Sequence, residues 1–593
     1  MKAGLFNAPQ SGFQWVADRV WKVEHAFERA NATGVKARSA RMRIFMILCS
    51  LAFAYVLLMM FAGKASLFSS KAEIAAMTGE AGARAQIVDR NGELLATDVN
   101  DYDLFVDPSD MTAADRTYVR NALGHIFPDM SPDLLDKAFR STSRTLLINM
   151  LKGADRDRIL NYGLPGITFE AQRVRDYPLG NTGAFYIGMT KRAGEGMSGV
   201  EKAFQTQISA QATANGIDKD QPVQVAMDLR IQGALENELR AMAVDTQSAG
   251  AVGIVTNVRT GEVLGMASWP EFDLNRPGAF PESDKRNHAA VDRYEVGSIF
   301  KVISLAVGLD TGTATLNSTY DVSQPLVIGT RKIHDMHGKA PVYSLEDVFI
   351  ESSNIGTSRV ALNAGVDAMT RYYDALGLFH AADIELTEPA VPIFTKNPKS
   401  WSQLTLAQSA FGQGMAITPL SYAEAAGAVL NGGCLRPLTV RKYDGKPLAC
   451  NRVFSVTTSR TMLDLMRENV LKGTGGRANA PGLRVGGKTG SAQKPAKGGY
   501  DATALISSFA AVFPTDGPID SDRYLVQIMF DSPHGSPMTN GGRLGGAVAA
   551  PVAGRVIDRI APFLGVARKE DKFTSPQWDK APIKPEDVTG EDH

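Results

Sequence analysis

Cysteine and histidine are scarce in this chain of 593 residues. The three cysteines are too few for a small disulfide scaffold, and no two of them form a C-x-x-C pair. The eight histidines include no H-E-x-x-H pair, which excludes a zincin-type metalloenzyme. A charge excess is also lacking, because 63 basic residues balance 63 acidic ones. Nucleic-acid-binding proteins normally carry a basic excess, so the composition argues against that class.

The remaining composition is that of a folded protein. Hydrophobic residues make up 44% and charged residues 21% of the chain, close to the average of globular proteins. At roughly 150 residues per domain, the length predicts several domains.

One long apolar run lies near the N-terminus. Residues 44–63 contain no charged side chain, and a helix of this length would cross the ~30 Å hydrocarbon layer once. A cleavable signal peptide and a retained anchor are the two interpretations. Signal peptides have an apolar core of about 7–15 residues close to their start. Residues 1–43 precede this longer run, so its length and position favour the anchor.

Basic residues are distributed unequally around the run. Residues 24–43 contain Arg29, Lys36, Arg38, Arg41 and Arg43, whereas residues 64–83 contain Lys64 and Lys71. The positive-inside rule therefore places residues 1–43 in the cytoplasm and the rest of the chain outside it.

The predicted cytoplasmic segment has an amphipathic pattern. Apolar residues recur at helical spacing at Phe13, Val16, Val20, Val23 and Phe27. Such a helix could contact a cytoplasmic partner or lie on the membrane surface. The alternative, which we favour, is a solvated membrane-proximal helix without a specific partner.

Two hairpin signals divide the exported part. Asn91-Gly92 lies between apolar runs, and Arg259-Thr260-Gly261 separates the strand-like runs 251–255 and 263–267. The region 64–245 shows no catalytic pattern and is interpreted as a spacer or pedestal. The second hairpin opens a domain at 246–567.

Residues 568–593 are charged and contain three prolines, which predicts a disordered tail.

Cys434 and Cys450 lie outside the membrane in this topology. Asp444-Gly445 between them predicts a turn that brings the flanking segments together. A disulfide is allowed in that compartment and would stabilise the fold by about 3 kcal/mol in the chain-entropy model. Two reduced, unrelated cysteines fit the sequence equally well.

The first of three short motifs is Ser298-x-x-Lys301. Gly297 suits a sharp turn into a helix, which would place the serine at the helix start and the lysine on the same face. Apolar neighbours would desolvate the lysine and favour its neutral form, a general base for a serine nucleophile. The pattern alone is weak evidence, because residues 491–494 match it as well.

The second motif is Ser352-x-Asn354, which follows the helix-compatible stretch 345–349. Its serine could relay a proton, and its amide could bind a peptide substrate. Nearby, His334 and His337 flank Asp335. Without a third ligand at hand, these residues are interpreted as a polar loop rather than a metal site.

The third motif is Lys488-Thr489-Gly490, followed by Ser491. It comes after a strand-like, glycine-rich run, where a ligand backbone could approach closely. An edge strand at this position could bind an extended peptide as an added strand. Lys488 would then supply positive charge for the terminal carboxylate of the substrate.

In this order, the three motifs are typical of penicillin-binding proteins and class A β-lactamases. The order excludes Ser491 as the nucleophile, because no S-x-N and K-T-G follow it. The chain resembles the class B penicillin-binding proteins, in particular the division-specific peptidoglycan D,D-transpeptidases of the FtsI type. Further segments carry this resemblance: 84–92, 175–188 and 199–202 of the pedestal, and 411–414, 418–419 and 431–433 of the catalytic domain.

Four residues depart from the family pattern. Ala85 stands where glycine is usual, Phe185-Tyr186 replaces an alanine-histidine pair, and Val296 replaces a common proline.

The resemblance implies an α+β fold. It consists of a single N-terminal transmembrane helix, a mixed pedestal of the dimerisation type, and a transpeptidase domain whose five-stranded antiparallel sheet is flanked by helices. The resemblance also implies the inner membrane as location, with the catalytic domain in the periplasm and enrichment at the division septum.

The resemblance further implies the role of each motif residue, with no metal and no cofactor. Ser298 attacks the bond between the two terminal D-alanines of a peptidoglycan stem peptide, Lys301 accepts its proton, and Ser352 passes a proton to the leaving D-alanine. The donor peptide is held by Asn354, Lys488, Thr489, Gly490 and Ser491.

The implied ligands are stem peptides and β-lactams. The implied partners are a lipid-II-polymerising glycosyltransferase of the membrane and other division proteins. Two related functions stay open, an elongation-specific transpeptidase and a division scaffold whose catalysis is dispensable. A β-lactamase shares the three motifs, but it is usually a soluble single domain without an anchor or a pedestal.

Overall fold

The computed structural model describes residues 83–569 except 192–193, 215–220, 337–339 and 497–498, together with 45–47, 49–59 and a few single positions between 19 and 32. Residues 45–47 and 49–59 are helical. Within the described positions, no helix has both the length and the apolar character needed to cross a membrane. The apolar residues of the predicted amphipathic helix lie outside the described residues, as do residues 570–593 of the predicted tail.

The strands of the described region are numbered in chain order. They are β1 Ile87–Val88, β2 Leu94–Val106, β3 Thr145–Leu151, β4 Ile167–Asp176, β5 Val223–Gln224, β6 Gly250–Asn257, β7 Val263–Trp269, β8 Thr319–Asp321, β9 Leu326–Ile328, β10 Arg331–Ile333, β11 Val342–Ser344, β12 Cys434–Leu435, β13 Asn451–Arg452, β14 Gly486–Ala496, β15 Gly499–Phe513 and β16 Tyr524–Asp531.

The α-helices of this region are numbered in the same way. They are α1 Ala113–Ile126, α2 Pro132–Arg140, α3 Gly153–Leu160, α4 Ala184–Ile187, α5 Gly199–Ala203, α6 Gln205–Ala214, α7 Leu229–Asp245, α8 His288–Val291, α9 Lys301–Asp310, α10 Leu345–Ile350, α11 Asn354–Ala364, α12 Val366–Ala375, α13 Gln403–Ser409, α14 Pro419–Leu430, α15 Val456–Lys472 and α16 Ala549–Ile560. Short 3-10 helices cover Pro108–Asp110, Pro277–Ala279, Gly297–Phe300, Pro398–Ser400 and Gly476–Ala478.

A five-stranded sheet forms the centre of the C-terminal half. Its order is β14-β15-β16-β6-β7, and every neighbouring pair is antiparallel. Successive side chains of a strand point to opposite faces, and both faces of β6 are buried. Val252 and Ile254 pack in the core that contains α9, α14 and α15, whereas Ala251 and Val255 pack against α7 and α16. The sheet is therefore covered by helices on both faces, which confirms the α+β fold class.

A second sheet forms the pedestal. The long strand β2 pairs antiparallel with β1, β3 and β4, and β1 continues to β5 in parallel. The predicted hairpin at Asn91-Gly92 is present, because β1 and β2 flank it and Gly92 adopts a φ of +95°. The elements β2, α1 and α2 pack around a separate apolar core, which includes Leu104, Val119 and Leu135.

Buried charges join distant segments of the pedestal. Glu201 accepts hydrogen bonds from Arg84 at 2.8 Å and from Arg175 at 2.7 Å, and Arg175 also binds Asp98 at 2.9 Å. The side chain of Glu201 is 0% exposed. Removing one partner from such a buried pair typically costs about 3–5 kcal/mol, so these motif residues stabilise the pedestal.

The aromatic pair that departs from the family pattern lies on α4. The hydroxyl of Tyr186 is buried and donates to the carbonyl of Val263 in β7 at 3.0 Å. Phe185 packs edge-on against Phe272, with ring centroids 5.3 Å apart. These two side chains attach α4 to β7 and to the segment that follows it.

The structure joins Cys434 and Cys450 in a disulfide, with a distance of 5.1 Å between their Cα atoms. The cysteines flank a turn in which Gly445 has a φ of +83°, and β12 pairs with β13 beside it. Of the two alternatives that the sequence left open, the structure therefore contains the disulfide.

Candidate active site

Ser298 lies on a 3-10 turn rather than on the first turn of an α-helix. The turn covers Gly297–Phe300, and α9 begins at Lys301 rather than at the serine. Gly297 has a φ of +61°, and its N–H donates to the carbonyl of Gly412 at 3.2 Å. Residues three apart eclipse each other on a 3-10 turn, so Ser298 and Lys301 lie on one side of it. Within the described residues, the Ser298 hydroxyl has no hydrogen-bond partner.

The amine of Lys301 is buried inside the second motif. The side chain is 0% exposed. Its Nζ donates to Ser352 Oγ at 3.2 Å, to Asn354 Oδ1 at 2.8 Å and to the carbonyl of Ser352. Burial lowers the pKa of Lys301 well below its usual range, and the charge of Lys488 lowers it further, whereas Asp335 opposes the shift. The lowered pKa favours the neutral amine that a general base requires, and in that form the amine keeps two N–H groups and donates to at most two of these three oxygens.

Lys488 approaches the same hydroxyl from β14. Its Nζ donates to Ser352 Oγ at 2.7 Å, and its side chain is 0% exposed. Desolvation lowers the pKa of Lys488 to about 7. Two amines thus converge on the hydroxyl of Ser352, which accepts from both and keeps its own proton free to donate.

The second motif occupies a strained turn between α10 and α11. Ser352 has a φ of +60°, a conformation that costs a residue other than glycine about 1–3 kcal/mol. The next residue, Ser353, caps α11 by accepting from the N–H of Gly356 at 2.8 Å. Asn354 is the first residue of this helix and projects its amide oxygen toward Lys301.

The third motif lies on an edge strand, as the sequence predicted. β14 is the outermost strand of its sheet and pairs on one side with β15. Thr489 shares a hydrogen bond with Thr474 at 2.7 Å between their hydroxyl oxygens. The Ser491 hydroxyl accepts from the N–H of Gly545 at 3.0 Å. In the described part of the chain no strand pairs with the other edge of β14, so an extended peptide could be added there.

Glycine brings this strand close to the Ser298 turn. A Cβ at Gly490 would lie 3.0 Å from the carbonyl oxygen of Val296, and one at Gly297 would lie 3.0 Å from the Cβ of Ala492. Both distances are shorter than ordinary van der Waals contact. The backbone of β14 can therefore lie directly against the turn that carries Ser298.

The fold brings the eight predicted site residues into one region, where β14 faces the Ser298 turn and the second motif. The sequence marked Gly412 only as part of a family segment, and it gave no sign of its contact with Gly297, of Thr474 or of the role of Asp335, whose carboxylate binds the second motif. None of these contacts has a local signal, because each joins segments that are far apart in the chain. Near the second motif, the carbonyl of His334 accepts from the Asn354 amide at 3.2 Å, and His337 lies outside the described residues.

Comparisons with known proteins agree with this geometry. The model of the penicillin binding protein transpeptidase domain matches residues 251–558, and that of the penicillin-binding protein dimerisation domain matches residues 80–221. The probable peptidoglycan D,D-transpeptidase FtsI of Caulobacter vibrioides is 46% identical over 569 residues, which cover 95% of each chain. The peptidoglycan D,D-transpeptidase FtsI of Escherichia coli is 27% identical and covers 82% of this chain and 84% of its own.

Among solved structures, a peptidoglycan synthetase from Bifidobacterium adolescentis has the same fold. The TM-score is 0.61 at 19% identity, with 84% of this chain and 98% of the other covered. The extent of these matches, and not the three motifs alone, decides the assignment. The chain belongs to the class B penicillin-binding proteins of the FtsI type.

Proposed function

We propose that this protein is a serine peptidoglycan D,D-transpeptidase that cross-links stem peptides through an acyl-enzyme on Ser298, in septal wall synthesis. The observation that carries the proposal is the convergence of the Lys301 and Lys488 amines on the Ser352 hydroxyl, beside the turn that bears Ser298. Two buried amines and a hydroxyl can move a proton without a metal or another cofactor.

Acylation uses the neutral amine of Lys301. Ser298 Oγ attacks the carbonyl carbon between the two terminal D-alanines, while Lys301 accepts the hydroxyl proton. Ser352 lies within hydrogen-bond distance of Lys301 and passes a proton to the nitrogen of the leaving D-alanine. The C–N bond breaks, free D-alanine leaves, and the stem peptide is held as an ester on Ser298.

The donor peptide binds along the free edge of β14. The main chain at Thr489, Gly490 and Ser491 pairs with the extended peptide, and the Asn354 amide holds it from the opposite side. The N–H groups of Ser298 and Ser491 form the oxyanion hole, where one donor is often worth about 3–4 kcal/mol of barrier.

Lys488 acts on the substrate carboxylate without contacting it directly. Because it is buried and bound to Ser352, its charge attracts the substrate carboxylate through the field of the site, and Thr489 makes the direct contact. An amine of a second stem peptide then attacks the ester and completes the cross-link. A β-lactam takes the place of the donor peptide and leaves a slowly hydrolysed ester on Ser298.

The surrounding chain places this reaction at the membrane. Residues 44–63 anchor the protein in the inner membrane, residues 1–43 lie in the cytoplasm, and the pedestal (64–245) carries the transpeptidase domain (246–567) in the periplasm. The uncharged run and the basic residues ahead of it support this topology. A lipid-II-polymerising glycosyltransferase and other division proteins are the proposed partners.

Covalent labelling with a fluorescent penicillin tests the catalytic assignment. The purified full-length chain should be labelled on the peptide that contains Ser298, and Ser298→Ala should abolish labelling while leaving the thermal unfolding midpoint unchanged. The control is Ser283→Ala, which removes an exposed serine and should be labelled at the wild-type rate. Labelling that persists in Ser298→Ala would mean that another residue is the nucleophile.

A further inference from the structure

Asp335 contacts the second motif at three points. It follows β10, and its Oδ2 accepts from the Ser353 hydroxyl at 2.6 Å. Its Oδ1 accepts from the N–H of Asn354 at 2.5 Å and from the N–H of Ile355 at 2.9 Å. Both carboxylate oxygens are therefore bound to the start of α11, although Asp335 lies outside the three motifs.

Asp335 binds a segment whose backbone is strained. Ser352 has the strained φ of +60°, and such a conformation persists only where its surroundings fix it. The N–H groups of Asn354 and Ile355 belong to the first turn of α11, where the helix dipole favours a carboxylate. The bonds to Asp335 therefore stabilise the backbone directly after Ser352, at Ser353, Asn354 and Ile355.

The neighbouring residue sets the orientation of the Asn354 amide. The carbonyl of His334 accepts from Asn354 Nδ2 at 3.2 Å, which leaves Oδ1 directed at Lys301 Nζ at 2.8 Å. An amide turned by 180° would present its NH2 group to the amine and lose both contacts. The segment 334–335 thus determines where the acceptor for Lys301 lies.

The hairpin that carries Asp335 also packs against α11 and its neighbours through apolar side chains. β9 and β10 form a two-stranded hairpin. Ile333, the last residue of β10, packs in a small apolar core with Ile355, Ala407 and Phe411. The hairpin and α11 are therefore held together by apolar contacts as well as by the bonds of the Asp335 carboxylate.

We propose that Asp335 is a positioning residue of the transpeptidase site, which holds the Ser352–Asn354 turn so that the Ser352 hydroxyl and the Asn354 amide meet the Lys301 amine. This inference rests on the proposed function, because it concerns the same proton transfer. Asp335 does not touch the reacting atoms in this arrangement. It acts through Ser353, through the N–H groups of α11 and through its charge.

The charge of Asp335 gives the proposal a distinctive signature. The charged groups that face the Lys301 amine are Lys488, on β14, and Asp335, and they act on the pKa of Lys301 in opposite directions. Removing the negative charge should lower this pKa, so that the neutral base persists to lower pH. A purely structural role would slow acylation without moving its pH dependence.

The test measures the second-order rate of acylation by a fluorescent penicillin between pH 6 and 9, on the full-length chain. Asp335→Asn keeps the shape of the side chain and removes its charge, and Asp335→Ala removes the contacts. The matched control is Asp321→Asn, since Asp321 is an exposed carboxylate of β8 that binds only the nearby Ser323 among the described residues.

We expect about a tenfold slower acylation at pH 8 for Asp335→Asn and about a hundredfold for Asp335→Ala, because small misplacements of catalytic groups cost factors of this size. The acid limb of the pH profile is the range in which acylation slows because Lys301 takes up a proton, and for Asp335→Asn it should lie at lower pH than for the wild type. The pH profile of Asp321→Asn should match that of the wild type. If Asp335→Ala does not fold, Asp335→Asn alone decides the question.

Two results would overturn the proposal: a rate for Asp335→Asn within twofold of that for Asp321→Asn at every pH, or a slower rate with an unmoved acid limb. Failure of the proposed function would look different. In that case the wild-type chain would not be labelled, or its label would lie on a peptide without Ser298.

Discussion

At the residue scale, the amines of Lys301 and Lys488 both bind the hydroxyl of Ser352, and their burial determines how readily each amine is protonated. Both side chains are 0% exposed, and desolvation is the largest cause of the lowered pKa of each amine. A buried amine with a lowered pKa takes up a proton less readily than in the unfolded chain. The contribution of Lys488 to folding stability therefore rises with pH from about 7, its pKa in the folded chain, to about 10.4, the unfolded value.

The substitution Lys488→Met should move the pH dependence of acylation in the direction opposite to Asp335→Asn. The positive charge of Lys488 lowers the pKa of Lys301, so its removal should raise that pKa and shift the acid limb to higher pH. At pH 7 we expect acylation at least about tenfold slower, since fewer molecules carry the neutral base. The pH profile of penicillin labelling measures this, and an unmoved limb would contradict the coupling of the two amines.

The sequence identified the three motifs but not the electrostatics that connects them. Residue types and their order were sufficient to predict Ser298, Lys301 and Ser352 as one group. The burial of Lys488 against Ser352 was not predictable, because its distance to Ser352 depends on how β14 pairs with β15. Asp335 was interpreted as part of a polar loop, since a single aspartate between histidines carries no signal of the helix that it contacts.

At the scale of elements, two glycine turns determine where the nucleophile lies. Gly297 and Gly412 both adopt a positive φ, and the carbonyl of Gly412 accepts from the N–H of Gly297 at 3.2 Å. The hairpins at Gly92 and Gly261 were predictable because their turn residues are local. The 3-10 turn at Ser298 was not, because its partner loop is distant in the sequence.

The substitution Gly412→Ala should impair acylation much more than Gly414→Ala. Both glycines have a positive φ, +78° and +70°, so alanine is strained at either position. A Cβ at Gly412 would lie 2.7 Å from the nitrogen of Gly297 and would collide with its carbonyl oxygen, whereas a Cβ at Gly414 has no heavy atom within 4 Å.

We therefore expect Gly412→Ala to slow penicillin acylation at least about tenfold relative to Gly414→Ala, because the turn that bears Ser298 must shift. The thermal unfolding midpoint of each variant shows how much of the change is strain alone. Equal acylation rates for the two variants would mean that the contact between the loops does not position the nucleophile.

At the scale of the whole molecule, the pedestal and the catalytic half are connected by specific contacts. Tyr186 of α4 binds the carbonyl of Val263 in the catalytic sheet, and it stands where the family pattern has a histidine. The α+β class and the five-stranded sheet were predicted from the motif resemblance. The contacts of Tyr186 were not predictable from the resemblance, because the family pattern has a histidine at this position and gives no contact for a tyrosine.

The proposed membrane orientation rests on the distribution of charge and is tested on the intact chain. Two reporters with opposite requirements, one active only after export and one active only in the cytoplasm, are fused separately after His593. We expect activity from the export-dependent reporter alone, because the basic residues are concentrated ahead of residues 44–63.

A variant in which Arg38, Arg41 and Arg43 become neutral provides the control for this prediction. Removing these charges leaves Arg29 and Lys36 ahead of the run against Lys64 and Lys71 after it, so the bias that fixes the orientation disappears and the cytoplasmic reporter should gain activity. Cytoplasmic activity of the unmodified chain would place the transpeptidase domain away from peptidoglycan. The topology and the proposed substrate would then both be wrong, even with every contact around Ser298 intact.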